Sequence, residues 1–288
     1  MASPVWGTEN KTRIPVFVSI VPQAYFLERI GGRHVEIDVL IGKGQSPHTY
    51  EPTPRQMTKL ARARAFFGIG VPVERGILKK IRQSHRNLLM VETQKGIAYR
   101  QLEHHHHHET ATGRRGGHKH PAHETADPHI WMNPRLVKIQ ARNIYEGLVR
   151  LDPSHRQTYA ANLQAFEADL DRVDGRIARS LASVKGGKIY VFHPAFGYFT
   201  DAYGLEQVPI EMEGKEPSAR QLSRIIEQAK REGVRVMFVQ PQFAAKSVEV
   251  VAQAIGGAVV PIDPLDRDYL ANLERIAVAV ERGAVKKR

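Results

Sequence analysis

The sequence contains no cysteine, which removes disulfides, thiolate zinc sites, iron–sulfur clusters and cysteine nucleophiles together. It has no apolar run near the roughly 18 residues that a membrane-spanning helix needs, so no such span is expected. Aromatic residues are only 7%, and none are spaced as in an RNA-binding strand. The N-terminus turns polar at Thr8 to Arg13 without a charged segment leading into an apolar core, so no signal peptide is read there. Composition alone leaves open a cytoplasmic protein or a mature exported one.

What is present points to a folded, water-exposed chain. With 288 residues, 42% hydrophobic and 25% charged, it is long enough for about two domains of roughly 150 residues each. The net charge of +12 invites a nucleic-acid reading. Yet the excess is regional: residues 1–152 carry 23 Lys/Arg against 13 Asp/Glu, and residues 153–288 carry 19 against 17. It is scattered as singles and pairs such as Arg62/Arg64 and Lys79/Lys80, with no basic helix or zinc finger, so a solvated basic surface is the expectation. Histidine is the unusual residue, at 14. Metal chemistry here must use imidazole and carboxylate.

Short β-branched runs alternate with helical periodicity. Strands are expected at 15–20, 36–41, 65–69, 88–91, 188–192, 208–210, 234–239 and 258–262, with helices at 24–30, 53–64, 74–84, 218–232, 245–255 and 269–281. The alternation predicts an α/β fold of two lobes, each a mainly parallel sheet flanked by helices. Between them, Leu163, Phe166, Leu170, Val173, Ile177 and Leu181 recur every 3 or 4 residues in a stretch that has no proline after Pro153. That pattern predicts one long linking helix over 153–184, a rigid spine between an N-terminal lobe (1–152) and a C-terminal lobe (185–288). Residues 103–123 lack apolar periodicity and hold His104, His105, His106, His107, His108, His118, His120 and His123, so an exposed loop is expected there.

Four residues stand where sites form in open α/β sheets, just past strand ends or in proline-bounded turns. His48 lies in Ser46-Pro47-His48-Thr49-Tyr50-Glu51-Pro52, His129 in Asp127-Pro128-His129-Ile130-Trp131, His193 directly after strand 188–192, and Asp263 after strand 258–262. If the lobes face each other, three imidazoles and a carboxylate can converge as a tetrahedral zinc-type ligand set. Spacing leaves this open, because the four form no local motif and a histidine beside proline also serves as an ordinary turn residue.

The flanking residues resemble the metal-specific solute-binding proteins of bacterial zinc/manganese ABC transporters. The segments that carry the likeness are Pro47 to Pro52, Asp127 to Trp131, Phe192 to Phe199, Glu216-Pro217-Ser218, Phe238 to Phe243 and Ile262 to Leu265, in order along nearly the whole chain. The resemblance implies metal ligands at His48, His129 and His193, with Asp263 as fourth and Glu51 as a local competitor. It implies Zn2+ as cargo, because manganese members tend to carry glutamate where His193 stands. It also implies delivery to a membrane permease from a periplasmic or other extracytoplasmic position, by a monomer that does no chemistry. The loop at 103–123 lies where zinc members often carry a histidine-rich insert, which would offer weak, exchangeable sites. Some relatives have a disulfide in the second lobe, and that is impossible here. The competing classes are a zinc hydrolase on the same ligands, a manganese-delivering protein, and last a nucleic-acid binder.

Overall fold

The computed structural model describes residues 13–84, 87–101, 126–211, 216–243 and 246–286. The expected histidine-rich loop at 103–123, and His85, lie outside the described residues. The chain runs β1 (Ile14–Ile20), α1 (Val21–Gly31), β2 (Val35–Ile41), α2 (Pro54–Leu60), β3 (Ala65–Gly68), α3 (Pro72–Ser84) and β4 (Leu89–Glu92). Next come α4 (Pro134–Leu151), α5 (Arg156–Ser180), β5 (Lys188–Val191), α6 (Gly197–Tyr203) and β6 (Glu206–Pro209). It closes with α7 (Ala219–Glu232), β7 (Val236–Val239), α8 (Lys246–Ile255), β8 (Ala258–Pro261) and α9 (Tyr269–Gly283).

The strands form two four-stranded sheets, ordered β2-β1-β3-β4 and β6-β5-β7-β8, and every pairing is parallel. This is the α/β architecture that the alternating pattern predicts. In β1, Val16, Phe17, Val18, Ser19 and Ile20 are all buried, as expected of a strand covered on both faces. The matching strand orders place a switch of direction beside β1 in one sheet and beside β5 in the other. Ligands collect outside the carboxyl ends of strands at such switches.

The linking helix differs from its expected single run over 153–184. Pro153–His155 and Leu181–Val184 are 3-10 turns, and only Arg156–Ser180 is α-helical, about 38 Å long. The first turn is tightened because the Asp152 carboxylate accepts from Ser154 Oγ, His155 Nδ1 and Tyr159 OH. Its buried stripe of Tyr159, Phe166, Leu170, Val173 and Ile177 packs against α1, α4 and α9. One continuous apolar cluster therefore runs from Val16 through Phe166 to Phe238 and Val280, and a smaller one around Val208, Met237 and Val251 lies under α7 and α8.

Helix α4 is the longest element for which no range was expected. Asn133 caps it by accepting from Arg135 N (2.9 Å), and Pro134 opens it. It lies close on the first sheet at Gly147, where an added Cβ would come within 2.8 Å of Val91 and 2.9 Å of Phe67.

Candidate metal centre

His48 sits in the connection from β2 to α2. The start of α2 is fixed by Thr53, which accepts from Gln56 N, while Gln56 Nε2 donates to Leu40 O at the end of β2 (2.8 Å). The loop is thereby held at both ends, and His48 turns toward the other lobe. His129 is placed by Asp127, whose Oδ1 accepts from both His129 N (2.9 Å) and His129 Nδ1 (2.7 Å). The turn that follows is tied to the C-terminal lobe: Trp131 Nε1 donates to Pro264 O (2.8 Å), and Tyr269 OH donates to Trp131 O (2.7 Å). His193, two residues past β5, is clamped by buried Gln240 past β7. Its N donates to Gln240 Oε1 (3.1 Å), and Gln240 Nε2 donates back to His193 O (2.6 Å).

These three histidines meet between the lobes. Their candidate ligand atoms all lie within 4.8 Å of one another, and His129 Nε2 is 3.3 Å from His193 Nε2. Two zinc–nitrogen bonds of about 2.05 Å at the tetrahedral angle hold their nitrogens about 3.3 Å apart. The surrounding walls are mainly apolar, with Pro47, Trp131, Ala195, Phe243 and Leu265 among the lining residues. Phe243 stacks on His193 with ring centroids 4.8 Å apart. His129 and His193 are buried, whereas His48 is the member open to water.

The protonation pattern follows from the carboxylates behind the rings. Burial pushes the Asp127 carboxyl up, but the charge and hydrogen bonds of His129 outweigh it. A hydrogen bond from Arg100 adds to them, so the group is held below its usual range and is ionised. An ionised carboxylate only accepts, so His129 Nδ1 carries the proton. His193 Nδ1 meets Glu211 Oε1 in the same way at 2.8 Å. Loss of hydration pushes His193 down despite the opposing Glu211 bond. His48 is pushed down to about 3, first by burial and then by His193 and His129. The His48 ring is therefore neutral at pH 7. With the Nδ1 atoms of His129 and His193 facing carboxylates, their Nε2 atoms are left facing each other across 3.3 Å. A cation that accepts both imidazoles would lie between them.

Asp263 stands apart from this set, because its oxygens do not join the three imidazoles within the 4.8 Å grouping. Its Oδ1 accepts from Gln242 Nε2 (2.8 Å) and Leu265 N (2.9 Å), and among the described residues only Oδ1 is engaged. Glu51 is exposed and also lies outside the group. Asp127, Glu211 and Gln240 carry functional geometry that sequence reasoning missed. The available signal for each was its place at a strand end or in a proline turn beside a candidate ligand. An isolated antiparallel bridge pairs Gln101 with Ala126, three residues before His129.

Residues 16–283 match the family described as ZnuA, zinc-uptake complex component A, periplasmic. The chain belongs to this family. As a ZnuA-family member it is of a solute-binding and not an enzyme family. Among curated proteins it is similar to the high-affinity zinc uptake system protein ZnuA of Yersinia pestis, 27% identical over 281 residues, 91% of this chain and 88% of that protein. A crystal structure of ZnuA is 38% identical with a TM-score of 0.85, covering 94% of this chain and 99% of that one. A zinc-bound ZnuA deletion mutant is 37% identical with a TM-score of 0.84, covering 96% of this chain and all of that one. No described helix is long and apolar enough to cross a membrane.

Proposed function

We propose that this chain captures Zn2+ between its lobes with His48, His129 and His193 and delivers it to the membrane permease of an ABC transporter for zinc uptake. The observation that carries this is the 3.3 Å approach of two Nε2 atoms whose rings are each backed by a carboxylate. A borderline cation accepting imidazole is the chemistry that geometry favours. A harder ion such as Mn2+ is better matched by more oxygen donors than this set supplies. Asp263, with Oδ2 not engaged among the described residues and next to the pocket-lining Gln242 and Pro264, is the fourth ligand once lobe or side chain shifts inward. The work is binding, not catalysis: the two nearest carboxylates, Asp127 and Glu211, both accept from ligand imidazoles and neither is spare as a general base.

The division into an N-terminal lobe (1–152), a spine (153–184) and a C-terminal lobe (185–288) suits a site whose ligands come from both sides. The apolar core continuous through α5 limits wide hinging. The periplasm or an equivalent extracytoplasmic space is its place of work, as a monomer. The histidines at 104–108, 118, 120 and 123, which precede His129 in the sequence, act as weaker, exchangeable zinc sites. Zinc competition titration tests the proposal on the intact protein, a 103–123 deletion and a His48→Ala/His129→Ala/His193→Ala variant. One tight equivalent should survive the deletion and vanish in the triple variant. Tight binding that persists without the three histidines would sink it, and histidine-dependent ester or peptide hydrolysis would favour an enzyme instead.

A further inference from the structure

A second group of metal-capable side chains lies at the other end of the first lobe. His34, Asp152 and His155 place candidate ligand atoms all within 4.8 Å of one another. His34 belongs to the 3-10 turn that precedes β2, whereas His48 follows that strand. The seven residues of β2, about 23 Å long, therefore lie between this group and the interlobe centre. Asp152 and His155 come from the connection between α4 and α5, where the spine begins.

The group is built rather than incidental. The imidazoles of His34 and His155 face each other with centroids 3.9 Å apart and planes 34° from parallel. Asp152 Oδ2 accepts from His155 Nδ1 (2.5 Å) and Tyr159 OH (2.9 Å), and Oδ1 accepts from Ser154 Oγ (2.5 Å). The carboxylate is thus oriented by three donors, and Asp152 Oδ2 and His155 Nδ1 face each other, so a cation held by both would replace the proton that they share. Tyr159 walls one side, its ring edge-on to His34 at 5.9 Å. All three candidate ligands are half-buried, so an ion can reach them and still be partly sheltered.

We propose that His34, Asp152 and His155 form a second divalent transition-metal site, which takes Zn2+ and clips the start of the spine to the first lobe. Two imidazoles and one carboxylate are a donor set that zinc accepts with a water in the open position. The same set disfavours Mg2+ and Ca2+, which call for more oxygen ligands. The ion would bridge a turn before β2 and the α4–α5 connection, segments more than a hundred residues apart in sequence. Its effect is therefore on how firmly lobe and spine hold together, apart from the cargo site.

The test uses a background that lacks the other zinc ligands, His48→Ala/His129→Ala/His193→Ala with 103–123 deleted. Zinc is titrated into it against a competing chelator, and melting is followed with and without Zn2+, with Mg2+ as a control. One equivalent should bind and raise the Tm, and Mg2+ should do neither. Adding His34→Gln and His155→Gln should weaken that equivalent by more than about tenfold and abolish the zinc-dependent rise. The metal-free Tm of the same variant reports whether it still folds. In the otherwise native protein, His34→Gln/His155→Gln should leave the tight interlobe equivalent intact, which separates this site from the proposed cargo site. A background that binds no zinc, or one that binds it equally well after both substitutions, overturns the proposal and leaves a stacked ring pair only.

Discussion

Glu211→Ala should weaken zinc binding about 10- to 100-fold, or roughly 1.4–2.7 kcal/mol. Glu211 is not one of the proposed metal ligands; it accepts from His193 Nδ1 at 2.8 Å. It is 5% exposed, so water does not simply replace it. The His193 backbone stays clamped by Gln240 at 3.1 and 2.6 Å, and the ring therefore remains near the site when Glu211 is truncated. What is lost is the fixed tautomer and the negative charge that makes Nε2 a better donor. Glu211→Gln separates the two: its amide oxygen can still accept from Nδ1–H, but the charge is gone, and its NH2 can flip and hold the wrong tautomer. The expected order of affinity is parent, then Gln, then Ala, read by chelator competition at pH 7, with unchanged stoichiometry. Both variants binding within about twofold of the parent would refute the claim that this carboxylate tunes the ligand.

The remaining predictions are simpler. The folded-state pKa values of His48 and His193 lie below 6.5, so the unfolded chain binds more protons once the pH falls below that value. The metal-free protein should therefore lose stability as pH drops from about 6.5 toward 3, and His193→Gln should flatten that loss in Tm-against-pH curves. Gly147→Ala should destabilise by about 1–3 kcal/mol in denaturant melts, because the new methyl meets Val91 and Phe67 with no room to move. A neutral effect there would mean that α4 shifts freely on the sheet.

The fold was legible because its central parallel strands, β1, β3, β5 and β7, are largely buried and so read as apolar runs. The end of the spine was less so. The turn at Leu181–Val184 continues the helical apolar period through Leu181 and Val184, whereas Pro153–His155 buries none of its residues and is tightened by the local pull of Asp152 on Ser154, His155 and Tyr159. Helix α4 was hidden by its position behind the proline turn at His129, although Asn133-Pro134 is a cap signal in plain view. His48, His129 and His193 could be singled out because each stands in a turn or past a strand end. Asp127 and Glu211 could not be assigned roles, because what they do depends on ring nitrogens brought near only by the tertiary fold. Nor does spacing reveal that Asp263 directs one oxygen to Gln242 and Leu265.

The most direct test is a zinc-loaded crystal structure with anomalous scattering recorded at the zinc edge. One strong peak is expected about 2.0–2.1 Å from Nε2, not Nδ1, of His129 and His193, with His48 and an oxygen ligand completing a tetrahedron. A principal peak away from these rings, or one bonded through Nδ1 with Asp127 and Glu211 displaced, would contradict the proposed ligand set.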